Sequence, residues 1–460
     1  MKLMTNSNAP DASLGVVERS AYMMGNIGTA FVNTIIASFI MFFYTDVMFL
    51  DPKVIGMILL VSRILDGVTD IVMGMIVDRT HSKHGRGRIW VLRTCIPYAI
   101  SGILLVCVPG GASAMVQYIY VFITYNLCNA ICLTALYVPY NSMTSNMTNN
   151  PYERGILGVF VMAGAVIGTM LVQSTVDSIT KALGGGQRAW QIAILIYAIA
   201  GALLHLICFA FTRERCGNDD TASGTAEKLS VKDELGSLLK NRYWVIAIVF
   251  IFVCLFATAI LGGMGMYYAK AVLGDTAYYA QLANAISLTQ VISLCGAFVL
   301  LKKFGKRNTM LIGVSCMVIG CLIHLLSGTN LTMITIASGI KGFGAGFAAA
   351  GLYGMVADTI DYSDWKIGVR PVGVGSAGTT FATKIANGFS VVLIGWIINM
   401  SGYDPAAAAQ SAQTVQVISL GYTLIPVICG VIGIILMLFY TLDKQYPAIQ
   451  KELLERKSKV

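Results

Sequence analysis

Apolar segments of about 20 residues recur along almost the whole of this chain, and each is long enough to cross a hydrocarbon layer of about 30 Å as a helix. Charged residues occupy 12% of the 460 positions, about half of the share in a soluble globular protein. A surface that faces water on all sides is therefore excluded. The sequence predicts an all-α membrane protein.

Twelve apolar segments emerge when hydropathy is averaged over about 19 residues. The predicted spans are 21–45, 53–77, 89–109, 114–146, 155–176, 189–212, 243–270, 277–301, 308–327, 331–357, 372–400 and 412–441. They divide the chain into an amino-terminal half at 1–212, a polar linker at 213–242, a carboxyl-terminal half at 243–441 and a tail at 442–460. Basic runs follow the second span of both halves. Two pseudo-symmetric halves of six transmembrane helices are the pattern of the major facilitator fold.

Basic residues predict the orientation of the chain in the membrane. With the amino terminus in the cytoplasm, most lysines and arginines fall in inside loops, and the outside loops hold little beyond Lys53, Lys181 and Arg188. This bias follows the positive-inside rule, so both termini are predicted to be cytoplasmic. The net charge of +9 then faces anionic lipid, and no nucleic-acid partner is expected.

Cysteines, histidines and short motifs give no support for a metal site or for catalysis. Most of the eleven cysteines lie in apolar segments without a CxxC pair, and the four histidines are scattered. Such cysteines are expected to be reduced and buried. The chain has no metalloprotease, nucleophile-elbow or phosphate-loop motif. An intramembrane enzyme acting on lipid-linked sugars is therefore unsupported, and we predict a protein that is not an enzyme.

Three charged residues lie on one face of the second predicted span. Arg63, Asp66 and Asp70 are spaced by three and four residues, which brings their side chains together on a helix. A charge at this depth costs about 3 kcal/mol or more unless it faces a cavity, a partner or an ion. The alternative is that Arg63 pairs with one aspartate for a purely structural reason. The second carboxylate would then need a further partner. The pair predicts a site for a coupling cation.

Other polar side chains inside the predicted spans are candidate substrate ligands. Span eleven places Thr380, Thr383 and Lys384 on a strip typical of a wet cavity. Lys341 opens the glycine-rich part of span ten, where it either contacts substrate or extends its amine to the membrane surface. The amino-terminal half offers neutral groups suited to sugar hydroxyls and rings. These are Asn26, Thr29, Tyr137 and Asn141.

Three segments carry a resemblance to one family. They are the end of span one, MFFYTD at 41–46; the span-two run RILDGVTD at 63–70 with the DRT and GRGRIW sequences after it; and ADTIDYSDWK at 357–366. The chain resembles, over its whole length, the glycoside–pentoside–hexuronide:cation symporters, the group that contains the melibiose and glucuronide carriers.

The resemblance implies a monomeric transporter in a bacterial-type inner membrane. It would carry a sugar or glycoside together with H+ or Na+ by alternating access, without a cofactor other than the coupling ion. Asp66 and Asp70 would form the cation site with Thr134, and Lys384 would link that site to the sugar. The implied gate on the cytoplasmic side consists of Asp358, Asp361, Asp364 and Arg370.

The chain departs from the melibiose-type pattern at three positions. Ala30 and Tyr137 stand where those carriers have the aspartates that hold neutral galactosides, and Met162 stands near the place of a span-five arginine. With Lys384, Lys341 and Arg63 left inside the membrane, the cavity is expected to be neutral to positive, and Arg63 is a further candidate substrate ligand. The sequence therefore favours an anionic sugar, such as a glucuronide, another hexuronide or a sulfonated sugar. A neutral glycoside or pentoside, and a lysolipid or other amphiphile, are the alternatives.

Overall fold

The computed structural model describes residues 13–216, 231–368, 372–407 and 409–458. All regular secondary structure within these ranges is helical. The chain forms two compact units. The amino-terminal unit comprises Met1–Gly224 and Ile398–Ala408, and the carboxyl-terminal unit comprises Thr225–Ile397 and Ala409–Val460.

The described helices of the amino-terminal unit follow the first six predicted spans. In chain order they are α1 (Val16–Thr34), π1 (Ile35–Phe39), α2 (Ile40–Phe42), π2 (Phe43–Val47), α3 (Pro52–Asp78), α4 (Arg88–Leu104), α5 (Ala114–Tyr125), π3 (Asn126–Leu133), α6 (Thr134–Met147), α7 (Pro151–Ala182) and α8 (Gln187–Phe211). The three π-helical segments interrupt the helices of spans one and four. π-Helices in proteins concentrate at functional sites.

The described helices of the carboxyl-terminal unit include two that hydropathy did not predict. In chain order they are α9 (Val231–Lys240), α10 (Arg242–Ala271), α11 (Ala277–Leu326), α12 (Leu331–Ala350), α13 (Leu352–Ile367), α14 (Val372–Met400), α15 (Ala412–Phe439) and α16 (Leu442–Ser458). Helix α9 lies in the predicted linker and α16 in the predicted tail.

Nine helical stretches in the described parts of the chain are long and apolar enough to cross a membrane. The other three predicted spans coincide with α3, α4 and the part of α11 before Gly305. Helix α11 covers predicted spans eight and nine, and only Gly305 breaks it, with φ 77° and ψ 172°. A side chain is strained at such a positive φ, so glycine suits this break.

Reciprocal tyrosine contacts join α1 to α6 in the amino-terminal unit. The rings of Tyr22 and Tyr140 stack with their centroids 4.6 Å apart. The Tyr22 hydroxyl donates to the Tyr140 carbonyl oxygen at 2.8 Å, and the Tyr140 hydroxyl donates to the Tyr22 carbonyl oxygen. Both hydroxyls are satisfied, as burial in a membrane protein requires. These contacts hold α6, which carries Thr134, in a fixed position against α1.

A carboxylate after the last long helix of the amino-terminal unit caps the loop that precedes α4. Glu214 accepts hydrogen bonds from the backbone N–H groups of Arg86 at 2.8 Å, Gly87 at 3.0 Å and Arg88 at 2.6 Å. The Arg88 side chain in turn donates to the Phe209 carbonyl oxygen at 2.6 Å. Burial raises the pKa of the Glu214 carboxyl, and the three backbone N–H groups oppose that rise.

The carboxyl-terminal unit repeats this arrangement with its own residues. Asp443 accepts from the backbone N–H of Arg307 at 2.7 Å. The Arg307 side chain donates to the Met437 carbonyl oxygen at 2.7 Å, in the last turn of α15. In each unit, an acidic residue after the last long helix accepts from the backbone N–H of an arginine, and the side chain of that arginine donates to a carbonyl oxygen in the last turn of the same helix. The two units therefore share this contact, as an internal repeat predicts.

We expect Glu214→Ala to lower the stability of the protein more than Asp443→Ala does. The first change removes the acceptor of three backbone N–H groups, and the second removes the acceptor of one. Each partly buried donor left without a partner costs about 1–3 kcal/mol. Unfolding temperatures of the purified variants in detergent check this order. Equal losses would contradict the role given to Glu214.

Candidate functional site

The two span-two aspartates meet a single hydroxyl group. Thr134 Oγ1 lies 3.1 Å from Asp66 Oδ1 and 3.0 Å from Asp70 Oδ1, and the side chain of Asp66 is buried. A threonine hydroxyl has one proton, so it donates to only one of the two carboxylates at a time. The three oxygens therefore have room for one more proton or cation among them.

Arg63 lies on the same side of α3 as the two carboxylates. Its guanidinium is 4.0 Å from Asp66 Oδ2 and donates to Asn129 Oδ1 at 3.4 Å. One guanidinium beside two carboxylates leaves a net negative charge of one among these side chains. These three side chains therefore favour a cation over an anion beside them.

The segment π3, which directly precedes Thr134, adds amide groups to the site. Asn126 Nδ2 donates to the Ser62 hydroxyl at 2.9 Å, and Asn129 accepts from Arg63. Three buried atoms here have no hydrogen-bond partner among the described residues: Arg63 Nε, Asn126 Oδ1 and Asn129 Nδ2. Buried polar atoms normally have a partner in the protein or in ordered water. The surroundings of the aspartates are therefore polar enough to hold water or a hydrated ion.

Two of the predicted sugar ligands lie on the face of α6 that carries Thr134. Tyr137 and Asn141 follow Thr134 by three and seven residues, so the three side chains lie along one side of the helix. Tyr137 is 42% exposed and Asn141 is also exposed. Both side chains are therefore exposed on the face of α6 that carries Thr134.

The other two predicted ligands of the amino-terminal unit lie in helix contacts. Asn26 donates to the Val161 carbonyl oxygen at 2.7 Å, and the Thr29 hydroxyl lies 3.0 Å from His205 Nε2. Asn26 and Thr29 are buried. Their polar groups join α1 to α7 and α8.

The predicted ligands of the carboxyl-terminal unit differ in their exposure. Thr380 is exposed and Lys384 is half-buried on α14, whereas the Thr383 hydroxyl donates to the Thr379 carbonyl oxygen at 2.9 Å. Lys341 is only 1% exposed, and its Nζ lies 2.9 Å from His324 Nδ1. Its amine is therefore enclosed by the protein.

The acidic residues of the predicted gate have partners within the carboxyl-terminal unit. Asp358 pairs with Lys306 at 2.6 Å, and Asp361 accepts from the Tyr446 hydroxyl at 2.9 Å. Asp364 lies on the same helix, α13. The fourth predicted gate residue, Arg370, lies outside the described residues. The contact of Tyr446, from the tail helix α16, with the gate was not expected from the sequence.

The described parts of the chain contain neither a cluster of metal-binding side chains nor a disulfide bond. No group of three or more His, Cys, Asp or Glu side chains there is placed to hold a metal ion. All eleven cysteines are free, and seven of them are buried.

Comparison with known proteins supports a transporter. The sequence profile of the family described as MFS/sugar transport protein matches residues 21–444. The isoprimeverose transporter of Lactiplantibacillus pentosus is 29% identical over 446 residues, which cover 95% of this chain and 91% of the relative. The glucuronide carrier protein homolog of Escherichia coli (strain K12) is 26% identical over 450 residues, which cover 95% of each chain.

The fold also matches a solved transporter. The crystal structure of a D-xylose-proton symporter superimposes with a TM-score of 0.63 at 14% identity, covering 92% of this chain and 97% of the other. The predicted major facilitator fold is confirmed, and the chain is a multi-pass membrane protein of a family of transporters rather than enzymes. This chain belongs to the MFS/sugar transport proteins and, among them, to the glycoside–pentoside–hexuronide:cation symporters.

Proposed function

We propose that this protein carries a sugar or glycoside across the membrane together with H+ or Na+. The observation that supports this best is the contact of Thr134 with both Asp66 and Asp70. The Thr134 hydroxyl has one proton to share between the two carboxylates, and a proton or a sodium ion bound among these three oxygens would bridge them. The two carboxylates lie in a predicted span, where negative charge is disfavoured, and this favours the binding of a cation beside them.

Coupling requires that the cation and the sugar raise each other's affinity. We propose that this occurs along α6, where Thr134 contacts the cation and Tyr137 and Asn141 contact the sugar. A cation that fixes Thr134 fixes the orientation of the same helix face that holds the sugar. The two units then alternate between states open to opposite sides of the membrane, and the acidic residues of α13 act as part of the gate.

We propose an anionic sugar as the preferred substrate. Lys384 and Thr380 supply a positive charge and a hydroxyl from α14, and Ala30 and Tyr137 supply no carboxylate that would repel an anion. The name of the glucuronide carrier homolog points to the same class of substrate. A neutral glycoside is the second candidate, because the isoprimeverose transporter is among the similar relatives.

The proposed setting is a bacterial inner membrane with both termini in the cytoplasm. The basic loops predicted from the sequence would then face the cytoplasmic leaflet, whose anionic lipids attract them. The active form is proposed to be a monomer.

A counterflow comparison tests the proposed substrate. Proteoliposomes that contain the purified protein would exchange labelled methyl glucuronide, sulfonated glucose, methyl galactoside, isoprimeverose or lysolipid against the same unlabelled compound. We expect an acidic sugar to exchange at least about 10-fold faster than the neutral ones, a preference of about 1.4 kcal/mol. Lys384→Met should remove that preference, and Lys384→Arg should keep part of it. Equal exchange of neutral and acidic sugars, or exchange of lysolipid alone, would contradict the proposal.

A further inference from the structure

A second cluster of ionisable side chains is buried in the carboxyl-terminal unit. Lys341 on α12 and His324 in the last turn of α11 are each 1% exposed, and Lys341 Nζ lies 2.9 Å from His324 Nδ1. The amine also lies 4.6 Å from the centre of the Tyr422 ring on α15. Helices α11 and α12 pack closely beside the lysine, because a Cβ at Gly320 would lie 2.8 Å from the Lys341 backbone nitrogen and 2.9 Å from both the Ala337 carbonyl oxygen and Lys341 Cγ.

The groups around this amine carry no negative charge. Cys321 and His324 face it from α11, and Tyr422 faces it from α15. Tyr268 from α10 stacks on Tyr422 with ring centroids 4.6 Å apart and packs edge-on against His324, and Tyr279 from the start of α11 lies near Tyr422. In the described part of the chain, Lys341 forms no ion pair with a carboxylate.

The hydrogen bond between Lys341 and His324 can form in two protonation states. If the lysine is an ammonium, it donates to His324 Nδ1, and the imidazole then carries its proton on Nε2. If the lysine is a neutral amine, His324 Nδ1–H donates to Nζ, and Nε2 carries a lone pair and no proton. The two states differ by one proton.

Different features of the cluster stabilise each state. The ring of Tyr422 attracts an ammonium. Against this, an ammonium is costly inside a membrane without a counter-ion. It also leaves His324 Nε2–H without an acceptor, because Nε2 is buried and has no partner among the described residues. Neither state is excluded by its surroundings.

We propose that Lys341 and His324 form a proton-binding site in the carboxyl-terminal unit, separate from the aspartate site. The site binds one proton as the amine becomes an ammonium, and the imidazole changes tautomer at the same time. Its charge lies between α11, α12 and α15.

The buried histidine of the other unit provides an internal reference. His205 Nδ1 lies 2.7 Å from the Gly201 carbonyl oxygen, which can only accept, so its proton is fixed on Nδ1. Its Nε2 faces the Thr29 hydroxyl at 3.0 Å, whose one proton can go either to Nε2 or to the Gly25 carbonyl oxygen at 3.1 Å. No amine takes part in this contact. His205 should therefore keep one tautomer at every pH at which the protein is folded.

Imidazole ¹⁵N NMR on the full-length protein in nanodiscs tests the proposal. The chain has four histidines, and His324→Asn identifies the signal of His324. Between about pH 5 and about pH 10, we expect His324 to change from the Nε2–H to the Nδ1–H tautomer in one step, without an imidazolium stage. His205 should not change, and Lys341→Met should abolish the step.

Three results would overturn the proposal. They are a His324 signal that keeps one tautomer over this range, a titration through imidazolium as for a solvent-exposed histidine, and a tautomer step that persists in Lys341→Met. If Lys341→Met does not fold, the comparison of His324 with His205 in the wild-type protein tests the proposal without this variant. The measurement uses no sugar and no ion gradient, so its failure would leave the proposed coupling at Asp66 and Asp70 untouched.

Discussion

Uphill accumulation of sugar should disappear in both Asp66→Asn and Asp70→Asn, while exchange of sugar across the membrane persists. Asparagine keeps the size of the side chain but removes the negative charge that the cation balances. A carrier that no longer binds the cation only equilibrates its sugar, so the accumulation ratio should fall to unity. Thr134→Val, which removes one of the three oxygens and keeps both carboxylates, should weaken cation dependence without abolishing it.

Proteoliposomes with an imposed inward Na+ or proton gradient provide the measurement. Asp51→Asn is the matched control, because Asp51 caps the start of the same helix, α3, where it accepts from the backbone N–H of Lys53 at 2.8 Å and is exposed. It should accumulate sugar as the wild type does. Concentrative uptake retained in both Asp66→Asn and Asp70→Asn would remove the basis for the proposed cation site.

Gly342→Ala should lower the stability of the folded protein more than the other substitutions proposed above. Helix α12 passes so close to α11 that a Cβ at this position would overlap the Ile286 carbonyl oxygen and the Thr289 hydroxyl. A backbone carbonyl cannot rotate away as a side chain can, so the two helices must separate. Overpacking of this kind costs about 1–3 kcal/mol and occasionally more.

Gly339→Ala, one turn earlier on the same helix, is the matched control. A Cβ there would lie 3.5 Å from Thr289 Cγ2, an ordinary contact. Alanine favours a helix over glycine by about 1 kcal/mol, so this variant should be as stable as the wild type or slightly more so. The unfolding temperature and the yield of monodisperse protein distinguish the two variants. Equal behaviour would contradict the described contact of α12 with α11.

Hydropathy predicted the position of the spans closely, because the requirement for about 20 apolar residues is local. The second predicted span, 53–77, coincides with α3, Pro52–Asp78, and the last, 412–441, with α15, Ala412–Phe439. Hydropathy did not predict the π-helical segment Asn126–Leu133. A π-helix differs from an α-helix by one hydrogen-bond register, i→i+5 in place of i→i+4, and averaged hydropathy carries no information on that register.

Helical spacing predicted the neighbours within one helix but not those across helices. Arg63, Asp66 and Asp70 do lie together, because three- and four-residue spacing fixes one face. The contact of Thr134 with the aspartates was inferred from the family resemblance, since spacing on one helix does not determine which helix packs against it. Lys341 was predicted to meet substrate or the membrane surface. Its contact with His324, across two helices, depends on tertiary packing.

The central claim is that Asp66, Asp70 and Thr134 bind one monovalent cation. The dependence of the unfolding temperature on Na+ and on pH, measured for the purified wild type and for Asp70→Asn, tests it directly, because a ligand that binds only the folded state stabilises that state. We predict that the wild type is stabilised by Na+ or by mild acid, and that Asp70→Asn loses this response. A wild type that responds to neither ion, or a variant that responds as the wild type does, would contradict the claim.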